Sequence, residues 1–545
     1  MSNTTTGSDR VVPGQHTPEE ERVPRLARLS RPAVTHWQFT VVLAAAIVVR
    51  LIVILGYPPI LWFNDSYNYV YDAVTHIPDA IRPNGYPFLI SLLLPFHNAY
   101  PLAVLQAAMG VAMGVLIYAL LRHRGLPWWG AILPTLPVLF DSYALHLEHM
   151  VTADTLFIFL GTVAVVILCW SDRPSVPVMA AAGLLIGYAT LVRSVGQPLL
   201  AVVVVAMLVR RVGWRRMAAL LVAGIVPIAA YMAWFHGTYG NYAMTESSGT
   251  FLYSRVSTFA ECSKMNPPAD IRALCDPTPP SLRPVAGGYL WASFELPPKN
   301  HVGTPLYNLD KSADVSMRFT PQVNGMAEKF ARDAILAQPY DYLRVVIRDT
   351  LHTFGWNRQP DPNNYYGNGP AFQFVPGSTL DSLIPWWATL QVPMDTQAVQ
   401  TYKARQDFGG PGLGQTSAVQ PWQRLLQIYQ RYFYLRGALL GLIVLIGAAG
   451  VLARWRRWVG IGLLPWLVGA LMIVLPPMTA GFSYRYVVAA VPTACLAAGL
   501  AFARRPGDKS VLARGDDPPR PPRSVGALAA DLRRHLGRGV AVEQE

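Results

Sequence analysis

The apolar run FTVVLAAAIVVRLIVILGY (Phe39–Tyr57) leads within a few residues into WFNDSYNYVYDAVTHIPDAIRPNGYP (Trp62–Pro87), and the junction between them decides the fold class. The first stretch is long enough, as a helix, to cross about 30 Å of hydrocarbon, with Arg50 as its only charge. The second places Asp65 one or two helical turns past that run. Tyr67, Tyr69 and Tyr71 surround it, and Asp72 follows two turns later. No charge is needed there for solubility. A carboxylate enclosed by aromatics at a membrane surface suggests chemistry on a molecule that lies in the bilayer. The same Asp-Ser pair also suits a helix N-cap.

Composition makes the membrane reading general. Of 545 residues, 52% are hydrophobic and only 14% charged, against roughly 25% charged in soluble domains. Apolar runs of spanning length recur from end to end, so the fold class is an α-helical polytopic membrane protein. A strand-built barrel would show shorter alternating segments instead. The formal charge of +13 is clustered at Arg22–Arg31, Arg122 and Arg124, Arg210–Arg216, Arg454–Arg457, and Arg504 and Arg505. Such clusters mark cytoplasmic loops and contacts with anionic membrane lipids. No basic-aromatic module supports nucleic-acid binding. The first apolar run is too long for a cleavable signal and lacks a small-residue cleavage site, so it reads as an anchor.

About ten spans with both termini cytoplasmic put every basic cluster on one side. They run at Phe39–Tyr57, Tyr100–Leu121, Trp128–Tyr143, Thr152–Trp170, Val178–Val192, Pro198–Leu208, Met217–Trp234, Gly437–Leu452, Val459–Leu475 and Val487–Phe502. The first outer loop (58–99) includes a short helix at Tyr86–Phe96, and His146–Met150 forms a brief outer turn. Membrane core (39–235 and 433–503) thus brackets an extracytoplasmic segment, 236–432. Residues 1–38 and 504–545 are polar tails without a core, the latter with a weak helix near Val525–Leu536.

The outer segment is too long for a passive connection. Val323–Thr353 reads as helix broken at Pro339, with Asp341 capping the second half. Asn357–Gly377 is irregular and aromatic-rich. Pro421–Tyr434 is amphipathic with interfacial aromatics. Cys262 and Cys275 lie together in this segment, as a local disulfide if the compartment is oxidising or as two thiols. Cys169 and Cys495 are small hydrophobes inside spans.

Motifs for nucleotide phosphates, zinc hydrolysis or a nucleophilic serine elbow are missing from the chain. What remains is a polar set converging on the outer face: Asp65, Asp72, Arg82, His146, Glu148, His149, Asp154, Arg193, Tyr484, Arg485 and Tyr486. Each has a plainer alternative. Asp72 suits a solvated helix position, and Glu148 and Asp154 can cap the fourth span. His146 and His149 are interfacial histidines, since two imidazoles at a turn do not define a metal site. Arg82 suits lipid headgroups. Arg193 is costly near a membrane unless paired, and Arg50 requires a partner within the bundle.

Three stretches resemble the GT-C superfamily of polyprenyl-phosphate-sugar-dependent glycosyltransferases, particularly its protein-mannosyltransferase-like and aminoarabinose-transferase-like branch. They are NDSYNYVYDA with RPNGYPFLISLL (Asn64–Ala73, Arg82–Leu93), VTADTLFIFL (Val151–Leu160) and SYRYVVAAVP (Ser483–Pro492). The likeness covers roughly 39–235 and 434–503. Ser66 stands where the mannosyltransferases often have Glu, and Asn84 where a second Pro is common.

The resemblance implies an inverting transfer of a sugar from a polyprenyl-phosphate donor to an extracytoplasmic acceptor. Such chemistry needs a base for the acceptor and cations for the leaving phosphate. Asp65 is then the base, its pKa raised by an aromatic pocket. Arg193 and Arg485 clamp the phosphate, and Tyr67 and Tyr69 stack on sugar. Asp72, Glu148, Asp154 and Tyr486 complete the substrate site. The residues name no cofactor, and a divalent cation is left open. The composition suits a GC-rich bacterium, hence its plasma membrane. A transporter or flippase for lipid-linked sugars would use the same arginines without a base. It would more often show duplicated halves and broken helices at mid-bilayer.

Overall fold

The computed structural model describes residues 36–291, 306, 319–357, 374–376, 408, 416–454 and 461–503. Among these residues the regular structure is helical, and the one isolated β-bridge pairs Leu61 with Met150. The tails 1–35 and 504–545, with the helix expected at Val525–Leu536, and most of Asn357–Gly377 lie outside the described residues.

The first half of the chain forms α1 (Trp37–Gly56), α2 (Asn64–Thr75), α3 (Gly85–Ser91), α4 (Tyr100–His123), α5 (Trp128–Ile132), α6 (Leu136–Phe140), α7 (Ser142–Glu148), α8 (Asp154–Trp170), α9 (Val176–Val192), α10 (Gly196–Val209) and α11 (Trp214–Tyr239). Three of these, α1, α4 and α11, are long and apolar enough to cross a membrane. The other expected crossings are shorter apolar helices of 10–17 residues.

Two expectations change here. The third apolar stretch is one helical stretch over Trp128–Phe140, ending short of Tyr143, with a 3₁₀ turn at Leu133–Thr135 between α5 and α6 where Pro134 stands. The turn expected at His146–Met150 is largely helix, since Asp141 caps α7 by accepting from the Tyr143 N–H at 3.0 Å.

Small residues let the helices approach closely. Gly183 and Gly187 of α9 face α11, where a Cβ would lie 2.2 Å from the Leu220 carbonyl and 2.5 Å from that of Gly224. Any side chain would force the two helices apart. Arg50, the charge inside α1, is buried and makes a two-pronged pair with Glu148. Nε lies 2.7 Å from Oε2 and Nη2 lies 2.8 Å from Oε1, while Nη1 donates to the Ala46 and Leu139 carbonyls. Gly110 of α4 makes room for the carboxylate, since a Cβ there would meet Glu148 Oε1 at 2.0 Å.

After α11 the chain builds a second, smaller core from α12 (Ser248–Ser257), α13 (Cys262–Met265), α14 (Ala286–Trp291), α15 (Pro321–Ala337) and α16 (Pro339–His352). Tyr253, Tyr289 and Phe330 fill it, and Cys262 and Cys275 form a disulfide with Cα atoms 6.0 Å apart. Pro339 divides α15 from α16 as expected, but Asp341 is not the cap. Gln338 occupies that position and its Nε2 donates to Asp341 Oδ2 at 3.2 Å. The chain closes with α17 (Trp422–Tyr432), α18 (Gly437–Ala453), α19 (Leu463–Thr479), α20 (Tyr484–Val488) and α21 (Val491–Leu500). The pair α17–α18 is bent by 55° and together would make a fourth crossing. Pro492 at the start of α21 accompanies the break after α20.

Candidate functional site: an alternating arginine–carboxylate chain

The start of α2 is fixed by Ser66, not by Asp65. The Phe63 N–H donates to Ser66 Oγ at 2.8 Å, the Ser66 N–H donates back to the Phe63 carbonyl at 2.9 Å, and Ser66 Oγ donates to the Val151 carbonyl at 2.7 Å. This reciprocal cap leaves the Asp65 carboxylate free of backbone duty. It also ties α2 to the segment that leads into α8. The Leu61–Met150 bridge reinforces the tie, with Leu61 N–H on the His149 carbonyl at 2.8 Å and Val151 N–H on the Leu61 carbonyl at 3.0 Å. Asp65 and Asp154 are thereby brought to the same end of the helices.

Around them three arginines converge from distant parts of the chain. Asp65 Oδ1 accepts from Arg82 Nη2 and Oδ2 from Arg485 Nη1, both at 2.7 Å. Asp154, the first residue of α8, accepts from Arg485 Nε at 2.5 Å through Oδ2 and from Arg193 Nη1 through Oδ1. Arg193 can reach it because α9 ends there in extended backbone. The result is a continuous chain: Arg82, Asp65, Arg485, Asp154, Arg193. Asp79 Oδ2 also lies 3.8 Å from Arg82 Nη1, so three guanidiniums face three carboxylates, and on these carboxylates Arg193 spends only Nη1 and Arg485 only Nε and Nη1.

Aromatic rings frame the chain. The Arg193 guanidinium lies over Tyr486 with 5.2 Å to the ring centre, and that of Arg485 over Phe63 at 5.5 Å. The Arg82 guanidinium sits between Tyr69 at 6.0 Å and Trp291 at 5.9 Å. Trp291 ends α14, so the second core contributes a wall to the site. Rings over guanidiniums favour the cationic form and exclude water from one side.

Several sequence expectations are corrected by this geometry. Burial alone pushes Asp65 up, but the adjacent Arg82 and Arg485 outweigh it and hold the carboxyl at about 2. The raised pKa expected from the aromatic pocket is therefore not found. Arg82, read from sequence as a headgroup contact, is a full member of the chain. The signal for it lay in the turn IPDAIRPNGYP, where Asn84 folds the loop back by accepting from Asp79 N–H and donating to the Ile77 carbonyl. Tyr67 and Tyr69 are buried, Tyr67 stacked with Trp62 and Tyr69 edge-on to Tyr86. They build the wall rather than present a face to a sugar.

Asp72 is buried too, not solvated. Its Oδ2 has no hydrogen-bond partner, and burial together with neighbouring Asp79 pushes its carboxyl well above the ordinary range. Glu148 belongs to Arg50 and stands apart from the chain. His149 Nε2 lies 2.8 Å from the Tyr57 carbonyl. No group of three or more His, Cys, Asp or Glu side chains among the described residues is arranged to hold a metal ion. Comparison with family models, with curated proteins and with solved structures returns no match for this chain.

Proposed function

We propose that this chain transfers a sugar from a polyprenyl-phosphate donor to an acceptor on the extracytoplasmic face of a bacterial plasma membrane. The observation that carries the reading is the convergence of three arginines from distant segments, with guanidinium nitrogens of Arg193 and Arg485 left over. A donor phosphodiester brings one negative charge and can take those nitrogens. Arg485 and Arg193 are the natural phosphate ligands, since each spends only part of its donor fork on Asp154. With both its oxygens on guanidiniums, Asp65 is a poor base. Once phosphate takes Arg485, one oxygen is released and its basicity rises toward what deprotonation of an acceptor hydroxyl needs. Donor binding thus arms the base. The displaced polyprenyl phosphate keeps the arginines that the donor occupied.

The membrane arrangement belongs to the same proposal. Ten crossings, with α8, α9, α18 and α19 at the short end of spanning length, put the basic clusters in the cytoplasm and the arginine chain outside. Tyr486 lines the approach under the Arg193 guanidinium, while the buried Asp72 acts through its neighbours Asp79 and Arg82. The acceptor is a cell-envelope glycan, lipid or protein shaped by the segment 236–432, and a divalent cation beside the phosphate is compatible with the reading. A carrier of lipid-linked sugars would use the same arginines but leave the glycosidic bond intact.

The test is transfer by the purified protein in lipid nanodiscs with radiolabelled polyprenyl-phosphate sugars. The expected result is label in an acceptor with release of polyprenyl phosphate, and a loss of about 10²–10⁴-fold in Asp65→Asn. Full-rate transfer by that variant removes Asp65 as the base. Donor binding without bond cleavage across the panel favours the carrier.

A further inference from the structure

The second core carries a helix whose outer face is exposed among the described residues. Tyr340, Leu343, Ile347 and Leu351 recur every three or four residues along α16, so they form one stripe, and they are 75%, 54%, 48% and 62% exposed. Leu336, at the end of α15, is likewise exposed. Arg344 and Arg348 flank the stripe and are also exposed. The opposite face is committed to the protein: Val346 and Asp349 are buried, and Asp349 Oδ2 accepts from the buried Arg255 at 2.8 Å.

Position says what covers the stripe. Tyr342 OH donates to the Met478 carbonyl in the last turn of α19 at 3.0 Å. At the other end, Gly437, the first residue of α18, sits so close that a Cβ would lie 2.4 Å from the Thr353 carbonyl. Helix α16 therefore runs across the ends of two apolar helices, one leaving and one arriving. Trp356 and Tyr434 flank Arg436 at the same level, with 5.6 and 4.3 Å from its guanidinium to the ring centres. Aromatics beside arginine at the ends of apolar helices are the composition of a membrane boundary.

We propose that α16 lies in the headgroup layer of the bilayer, with Tyr340, Leu343, Ile347 and Leu351 among the acyl chains and Arg344 and Arg348 on anionic lipid phosphates. A helix of this pattern, apolar on one side with arginine at the margin, binds in the plane of the interface. The stripe is an extension of the lipid-facing surface, since Leu439, Leu442 and Leu445 of α18 are exposed as well. The helix is also joined to the arginine chain: its last residue, His352, packs edge-on against Phe482, which contacts Tyr484 beside Arg485. The inference rests on the membrane reading and not on the transferase activity.

The experiment uses the full chain in nanodiscs of mixed zwitterionic and anionic lipid, spin-labelled singly at Ile347→Cys, at Glu328→Cys on α15, or at Val226→Cys in mid-α11. Collisions with molecular oxygen and with a water-soluble nickel complex are compared. The Ile347 label should meet oxygen freely and nickel severalfold less than the Glu328 label does. Replacing Arg344 and Arg348 by Gln should make it shallower in anionic discs and leave it unmoved in zwitterionic ones. A nickel-accessible Ile347 label beside a lipid-immersed Val226 label overturns the proposal alone. Both labels in water would overturn the membrane reading with it. An Ile347 label shielded from both reagents and dipole-coupled to another copy would show a protein partner there instead, and equal depth in both lipids would refute the headgroup contact.

Discussion

Two arginine–carboxylate assemblies stand a few helices apart, and they solve different problems. Arg50 and Glu148 form a balanced two-pronged pair whose remaining donors go to the Ala46 and Leu139 carbonyls. Little capacity is left over for a ligand. The chain Arg82–Asp65–Arg485–Asp154–Arg193 is drawn from five separate segments and leaves Arg193 Nε and Nη2 and Arg485 Nη2 without a carboxylate partner among the described residues. A satisfied pair specifies packing, whereas an assembly with unspent donors has binding capacity in reserve. Leftover donors, more than burial, separate the two.

The comparison can be broken at four points. The largest expected effect is on rate: Asp65→Asn lowers sugar transfer by about 10²–10⁴-fold while donor lipid still binds, read by product formation and by co-purified lipid. Next is stability. Arg50→Leu strands a buried carboxylate and costs about 3–5 kcal/mol, while Arg50→Leu with Glu148→Leu returns to near wild type, as judged by thermal unfolding in detergent. If the double variant loses transfer, the Arg50 pair is more than packing.

Smaller still is Gly110→Ala, whose methyl group meets Glu148 and should cost about 1–3 kcal/mol by overpacking with the donor affinity unchanged. The smallest is Asp72→Asn. Asp72 is raised in the folded protein, so its contribution to stability is full below the unfolded value of about 3.9 and is lost as pH rises through the folded pKa. The amide should flatten the pH dependence of unfolding and raise the midpoint near neutrality by about 2 °C. Asp65 runs the other way, since its contribution is present above about 3.9 and fails only as pH falls through about 2.

What could be read from the chain depended on the range of the interactions. Hydropathy marks the apolar helices well, because a run such as Phe39–Tyr57 carries its own signal. It missed the 3₁₀ turn at Pro134 inside one expected span. In the site, Asp65, Asp154, Arg193 and Arg485 could be grouped because charges near helix ends on one side of a membrane have few other places to go. Pairings could not be read in the same way. Glu148 and Asp154 look alike in sequence, yet one binds Arg50 inside the bundle and the other joins the site. Tyr67 and Tyr69 look like exposed loop aromatics, but the tie between Ser66 and Val151 turns them inward. Such orientation is set by contacts between residues far apart in the chain, which no local spacing encodes.

If the leftover arginine donors make a phosphate site, polyprenyl phosphate should distinguish the chain from the satisfied Arg50–Glu148 pair. The direct measurement is the affinity of polyprenyl phosphate for three forms of the protein in nanodiscs: wild type, Arg485→Gln, and the Arg50→Leu, Glu148→Leu double variant. Loss of charge-assisted bonds at Arg485 should weaken binding about 10- to 100-fold, with the double variant matching wild type. Equal affinity in wild type and Arg485→Gln would contradict the account.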